Sequence, residues 1–239
     1  MNRSEFLRTT LGIIALSNTS MKPFKNYDPL ILIGKGSPKL VGSSFTILPE
    51  VKVALEKMTQ AAKNDGIEIT VVSAYRSYER QKSIWNSKFI KLEKKGFKNL
   101  AIIDQIIKYS TIPGTSRHHW GTDIDIIDGS QTSKGDLLVT KKFHGNGPYN
   151  KLRKWMDTNA EKFGFIKPYN RDPERKGFLY EPWHYSYAVK SIPMLNAYLE
   201  LDAISLIKDS DLLGADLLDS KFINKYLSSH VLGIDAALL

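Results

Sequence analysis

The chain contains no cysteine, which excludes a thiol nucleophile, a disulfide framework and every cysteine-bearing metal site. Any metal held here is bound by nitrogen and oxygen. No stretch approaches the roughly 20 consecutive apolar residues that cross a bilayer. The Gly-x-x-x-x-Gly-Lys-Ser/Thr phosphate loop is missing, and Gly34-Lys35-Gly36-Ser37 reads as a turn. A Gly-x-Ser-x-Gly nucleophile elbow is missing too. Acidic side chains are in deficit: 25 Asp and Glu stand against 34 Lys and Arg, for a formal charge of +9. Lys88, Lys91, Lys94, Lys95 and Lys98 follow one helical face with few interleaved aromatics, the pattern of a solvated surface and not of a nucleic-acid groove. No nucleic-acid partner is expected, although long-range attraction to an anionic polymer is.

What is present is a constellation of metal-binding types. Ser116, His118, Gly121, Asp123 and Asp125 stand together, and Glu181-Pro182-Trp183-His184 follows about sixty residues later. Two imidazoles and one carboxylate are a donor set that zinc accepts, with a fourth position left for water. Amide hydrolysis at neutral pH needs a strong nucleophile, and zinc lowers the pKa of a bound water to roughly 7. A second carboxylate then takes that proton and returns it to the leaving amine, and Glu181 is the candidate for both transfers. Of the remaining histidines, His119, His144 and His230 lack such surroundings and read as structural or solvent-facing.

Local patterning places these residues. Thr122 to Ile127 alternates polar and apolar, so as a strand it turns Asp123 and Asp125 to one face and Ile124 and Ile126 to the core. Pro182 cannot donate to a ladder, which makes Glu181 to Trp183 a strand entry. Helices are expected at Pro49–Lys63, Tyr78–Lys95, Asn99–Tyr109, Lys151–Lys162 and Pro193–Lys208, with strands from Ile67 and at Phe165-Ile166. The mixture predicts an α+β fold with a small, mostly antiparallel sheet. A planar two-pronged donor suits a substrate carboxylate or a developing oxyanion, and Arg76, just after the Ile67–Val72 strand, is the candidate.

With 239 residues the chain suits one catalytic domain plus appendages. Residues 1–20 carry Arg3 and Arg8, a brief apolar core at Leu11–Leu16 and a small-x-small site at Ala15-Leu16-Ser17, and are expected to be a signal peptide for export to the periplasm or cell envelope. Residues 21–190 are the expected catalytic domain. In 191–239 the leucines and isoleucines predict a helical extension packed on the domain or on a partner, the former preferred.

The patterns Ser-x-His-x-x-Gly-x-x-x-Asp and Glu-x-x-His, with Trp183 before the final histidine, resemble the VanY-type D-alanyl-D-alanine carboxypeptidases, in the wider group with lysostaphin and the hedgehog signalling domain. The resemblance covers about residues 45–190 and includes Ser73-Ala74-Tyr75-Arg76-Ser77 with Gln81. It implies a hedgehog/DD-peptidase-like fold and one zinc ion per chain held by His118, Asp125 and His184. It also implies Glu181 as catalytic base and Arg76 contacting substrate or its oxyanion; Gln81, Ser116, Asp123 and Trp183 complete the expected substrate contacts. Ala74 stands where the family usually has Gly, and Asp123 where it usually has Ala. The implied activity is removal of the C-terminal D-alanine from peptidoglycan stem peptides. Cleavage of an L,D bond, an internal cross-bridge cut, or a zinc-stabilised binding module without turnover are the alternatives; retention of Glu181 argues against the last.

Overall fold

A computed structural model describes residues 27–239; the expected signal peptide lies outside them. Four strands form one sheet in the order β1-β2-β4-β3: β1 (Ile69–Ser73), β2 (Asp123–Asp128), β3 (Phe165–Ile166) and β4 (His184–Tyr187). Every pairing is antiparallel. The helices are α1 (Pro29–Leu32), α2 (Pro49–Asn64), α3 (Tyr78–Glu93), α4 (Leu100–Ile106), α5 (Asn150–Asn159), α6 (Ala188–Leu199), α7 (Ala203–Leu206) and α8 (Ser220–Tyr226). The α+β class expected from the sequence is the class observed.

The period-two pattern of β2 separates the two faces of the sheet. Ile124 and Ile126, with Tyr185 and Phe165, pack against Val51, Leu55 and Met58 of α2 and Leu152 and Met156 of α5. Asp123 and Asp125 are carried on the other face, yet they are as buried as the isoleucines. Carboxylates are rarely buried this deeply unless paired or bound to a cation, so this face of the sheet is where chemistry is expected.

A second apolar cluster joins α3, α4 and α6 to the C-terminal residues: Trp85, Ile103, Ile106, Met194, Leu195 and Tyr198 share it with Leu212, Ile223, Tyr226, Val231 and Leu238. The 191–239 segment therefore contributes to the same core as the preceding chain. Its first helix differs from the expectation, starting at Ala188 directly after β4 and running through Pro193 to Leu199. The carbonyl that a Pro193 N–H would have served belongs to Val189, which is 64% exposed and open to water. The helix stops at Leu199, and Asp202 caps α7 by accepting the Ser205 N–H at 3.3 Å.

Candidate metal centre and cavity

Strand register assembles the centre. On β2, Asp125 lies opposite Ser73 of β1 on one side and opposite His184 of β4 on the other, while Asp123 lies opposite Ser186. Directly opposed residues of antiparallel strands have side chains within reach of each other, so the ladder alone delivers Asp125 to His184. His118 arrives from a 3₁₀ turn, Arg117–Trp120, closed by Gly121 at φ +68°. The chain reverses there with no room for a side chain, since a Cβ on Gly121 would come within 2.7 Å of Leu40 Cδ2. The turn is bound to the end of β1 in both directions: His118 Nδ1–H donates to the Ala74 carbonyl at 2.8 Å, and Arg76 N–H donates to the His118 carbonyl at 3.0 Å.

His118, Asp125 and His184 offer one ligand atom each, all within 4.8 Å of one another. His118 Nε2 lies 3.4 Å from Asp125 Oδ2 and His184 Nδ1 lies 3.5 Å from Asp125 Oδ1. That Oδ1 is buried and has no hydrogen-bond partner, which is costly for a carboxylate oxygen unless a cation compensates it. Two nitrogens and an orphaned oxygen converging in this way fit zinc, and the expected ligand trio is brought together. Burial, with Glu181 nearby, raises the Asp125 carboxyl to about 6 against the pull of His184 and Arg76. For His184, burial opposes the charged ring, but the hydrogen bonds to Asp123 and Glu181 outweigh it and raise it to about 10. Burial, reinforced by Arg76 and His184, holds His118 well below the ordinary histidine range. One ring thus stays neutral while the other carries a proton that a bound cation replaces.

Around the trio lies a cavity of about 590 Å³ whose wall includes Arg76, Lys88, Ser116, Glu181 and Trp183. Glu181 Oε2 is 3.1 Å from His184 Nδ1, and the Glu181 N–H donates to the Tyr169 carbonyl at 3.0 Å. Tyr169 in turn stands edge-on to His184 with centroids 4.9 Å apart. Trp183 is packed on Phe143 at 5.7 Å. Arg76 donates from Nη1 to Gln81 Oε1 at 2.8 Å and from Nη2 to Ser73 Oγ at 3.0 Å, and Nη2 lies 4.0 Å from Asp125 Oδ2.

Two expected substrate contacts are placed elsewhere. Gln81 is fully buried behind Arg76, donating to the Thr111 carbonyl at 2.8 Å. Asp123 is fully buried and lies outside the cavity wall, beneath His184, because Arg117, Thr122, Ser186 and His184 surround its oxygens. Each touches a residue of the cavity wall, Gln81 through Arg76 and Asp123 through His184. Conversely, Lys88 reaches the cavity although its sequence context reads as a solvated lysine face. Its helical spacing from Gln81, seven residues along α3, was the available signal. Arg117 and Tyr169 also line the cavity and carry no sequence signature for it.

An antiparallel sheet presenting two imidazoles and a carboxylate at its buried face, with a further carboxylate beside them, defines the class of DD-peptidase-like zinc peptidases. Comparison with known proteins narrows it. The family model "VanY: D-alanyl-D-alanine carboxypeptidase" matches residues 45–190, and the chain belongs to that family. It is 33% identical over 135 residues to a D-alanyl-D-alanine carboxypeptidase of Enterococcus faecalis (strain ATCC 700802 / V583), a match covering 56% of this chain and 45% of that protein. The chain therefore spans less than half of that relative's length. Among solved structures it is similar to a vancomycin-resistance D,D-pentapeptidase VanY variant in complex with Zn(II), with a TM-score of 0.52 and 26% identity over 72% of this chain and 90% of that one. It is also similar to the LD-carboxypeptidase LdcB, with a TM-score of 0.51 and 27% identity over 73% of this chain and 81% of that one.

Proposed function

We propose that this protein is a zinc-dependent carboxypeptidase that removes the C-terminal D-alanine from peptidoglycan stem peptides. The observation that carries the reading is the convergence of His118 Nε2, His184 Nδ1 and the orphaned Asp125 oxygen beside Glu181, on the wall of a cavity lined by three cationic side chains, Arg76, Lys88 and Arg117. In this reading His118, Asp125 and His184 hold the ion. When bound, zinc supplies an acidified water and polarises the scissile carbonyl. Glu181 takes the proton of the attacking water at its carboxylate and hands it to the leaving amine nitrogen. Arg76, held by Gln81 and Ser73 and set close to Asp125, donates to the carbonyl oxygen as negative charge develops on it.

With Arg117 on the same wall tied to Asp123 and Ser186, Lys88 is in this reading the cation for the free carboxylate of the departing residue, a role for which a point charge on a flexible stem is sufficient. Such a substrate lies outside the cytoplasmic membrane, so residues 1–20 are the export signal in this account and residues 21–190 the catalytic domain. No helix of the described residues is long and apolar enough to cross a membrane.

The test is D-alanine release from a pentapeptide ending in D-Ala-D-Ala, by the zinc-loaded protein and by Glu181→Ala. Release by the parent, lost by a factor of about 10² to 10⁴ in a variant that still binds zinc, is the expected result. Release only from a tetrapeptide ending in an L,D bond, or no release from either peptide, overturns the D,D assignment.

A further inference from the structure

Asp123 places a second carboxylate on the metal-binding strand, two residues before Asp125, and this one is not solvated. It is fully buried and accepts four hydrogen bonds: at Oδ2 from His184 Nε2 at 2.9 Å and Arg117 Nε at 3.0 Å, and at Oδ1 from Thr122 Oγ1 at 2.7 Å and Ser186 Oγ at 2.8 Å. An ionised carboxylate has about four acceptor sites, so none is left for substrate. Arg117 is itself fixed, with Nη2 donating to Ser186 Oγ at 2.6 Å and its guanidinium over the Trp120 ring at 5.0 Å. The pair forms a network beneath one ligand of the centre in which every Asp123 oxygen is bonded, while Arg117 Nη1 has no hydrogen-bond partner and the residue also borders the cavity.

The consequence falls on His184. An acceptor-only partner on Nε2 requires a proton there, so the nitrogen free to bind an ion is Nδ1, the atom that faces Asp125 and Glu181. His118 is locked in the opposite sense, its Nδ1–H spent on the Ala74 carbonyl and its Nε2 turned to Asp125. A carbonyl fixes orientation. A carboxylate does so too and also makes the ring a more basic ligand, and loss of such outer partners typically weakens metal binding about 10- to 100-fold. Arg117 keeps this additional anion from simply adding to the charge of Asp125 and Glu181.

We propose that Asp123, clamped by Arg117, is a positioning residue that fixes His184 as an Nδ1 ligand and tightens the hold of the centre on its ion. The proposal rests on reading the centre as a zinc site. Its first test needs no variant. In zinc-loaded parent protein labelled with ¹⁵N-histidine, long-range proton–nitrogen correlation is expected to show His184 protonated at Nε2 and metal-shifted at Nδ1, with His118 the reverse. His184 found with the opposite assignment overturns the proposal, whereas a protein that takes up no zinc overturns the function proposed above.

The second test is zinc affinity by chelator competition for Asp123→Ala and for Asp123→Ala/Arg117→Met, which avoids leaving the guanidinium unpaired, with the apo melting temperature as a control for folding. Both are expected to bind zinc about 10- to 100-fold more weakly and to shift the visible spectrum of the cobalt-substituted protein. Affinity within twofold of the parent, with an unchanged cobalt spectrum in a folded variant, overturns the proposal.

Discussion

His119 stands next to a proposed ligand, yet its surroundings give it the opposite task. Its Nδ1–H donates to the Arg76 carbonyl at 2.6 Å and its Nε2 accepts the Gly114 N–H at 3.1 Å, so both ring nitrogens are committed to a neutral tautomer. A proton on Nε2 would oppose the Gly114 donor, and burial accordingly lowers His119 to about 4. In the unfolded chain the group has an ordinary value near 6.5. Above that pH neither state is charged and His119 costs nothing. As pH falls from about 6.5 to about 4 the unfolded chain takes up a proton that the folded chain refuses, so stability drops across this window by on the order of 3 kcal/mol and then levels off. Denaturant unfolding at several pH values checks this: the slope for the parent is expected to exceed that of His119→Gln by up to one proton. At the same scale, Arg76→Lys retains a charge and loses the two-pronged geometry held by Gln81 and Ser73. We expect kcat/KM to fall about 10² to 10³ with zinc affinity unchanged, measured by peptide hydrolysis beside chelator competition.

Among elements, those set by local pattern were legible in the sequence. Alternation in Thr122–Ile127 predicted the strand and the shared face of Asp123 and Asp125, and helix-stop glycines placed the ends of α2 and α5 within a few residues. What lay beyond pattern was set by tertiary contact. That Asp123 is sealed while Asp125 is cavity-facing depends on Arg117, distant in sequence from the Glu-x-x-His segment, which meets Ser186 just beyond that segment only in the folded sheet. Lys88 was hidden because five lysines at helical spacing look alike until one of them is seen to line a cavity. Element geometry carries its own prediction at Gly121, the left-handed residue ending the His118 turn. Gly121→Ala puts a Cβ at positive φ and against Leu40. A cost of about 1–2 kcal/mol from the left-handed backbone alone is expected, read as a lowered denaturant midpoint, with weaker zinc binding as His118 is displaced.

For the whole molecule, the C-terminal residues matter because of where they attach. Beyond their share of the core, they reach both segments that frame the cavity. Along α3, the Trp85 Nε1–H donates to the Leu213 carbonyl at 3.0 Å and Lys82 pairs with Asp209 at 2.9 Å. Ahead of Ser116, Tyr226 Oη accepts the Ile112 N–H at 3.2 Å and shares a hydrogen bond with Thr115 Oγ1 at 3.1 Å. The acidic character of residues 209–219 is thus partly spent on a lysine of the basic chain. Leu212, Ile223, Tyr226, Val231, Ile234 and Leu238 are all buried, and at about 1.5–3 kcal/mol for each large apolar side chain their burial is comparable with the entire stability of a typical domain, roughly 5–15 kcal/mol. A chain ended after Leu199 is therefore expected to lose its cooperative thermal transition, and one that melts like the parent would show that the catalytic core stands without this segment. A finer probe separates support of the cavity from support of the fold. Tyr226→Phe keeps the ring against Phe178 and His230 but removes the hydroxyl that holds Ile112 and Thr115. Leaving that buried amide without an acceptor costs about 1–3 kcal/mol, and because the freed segment leads directly into Ser116 and His118, KM for the peptide is expected to rise along with the loss of stability. A loss of stability with unchanged kinetics would confine the tail to a packing role.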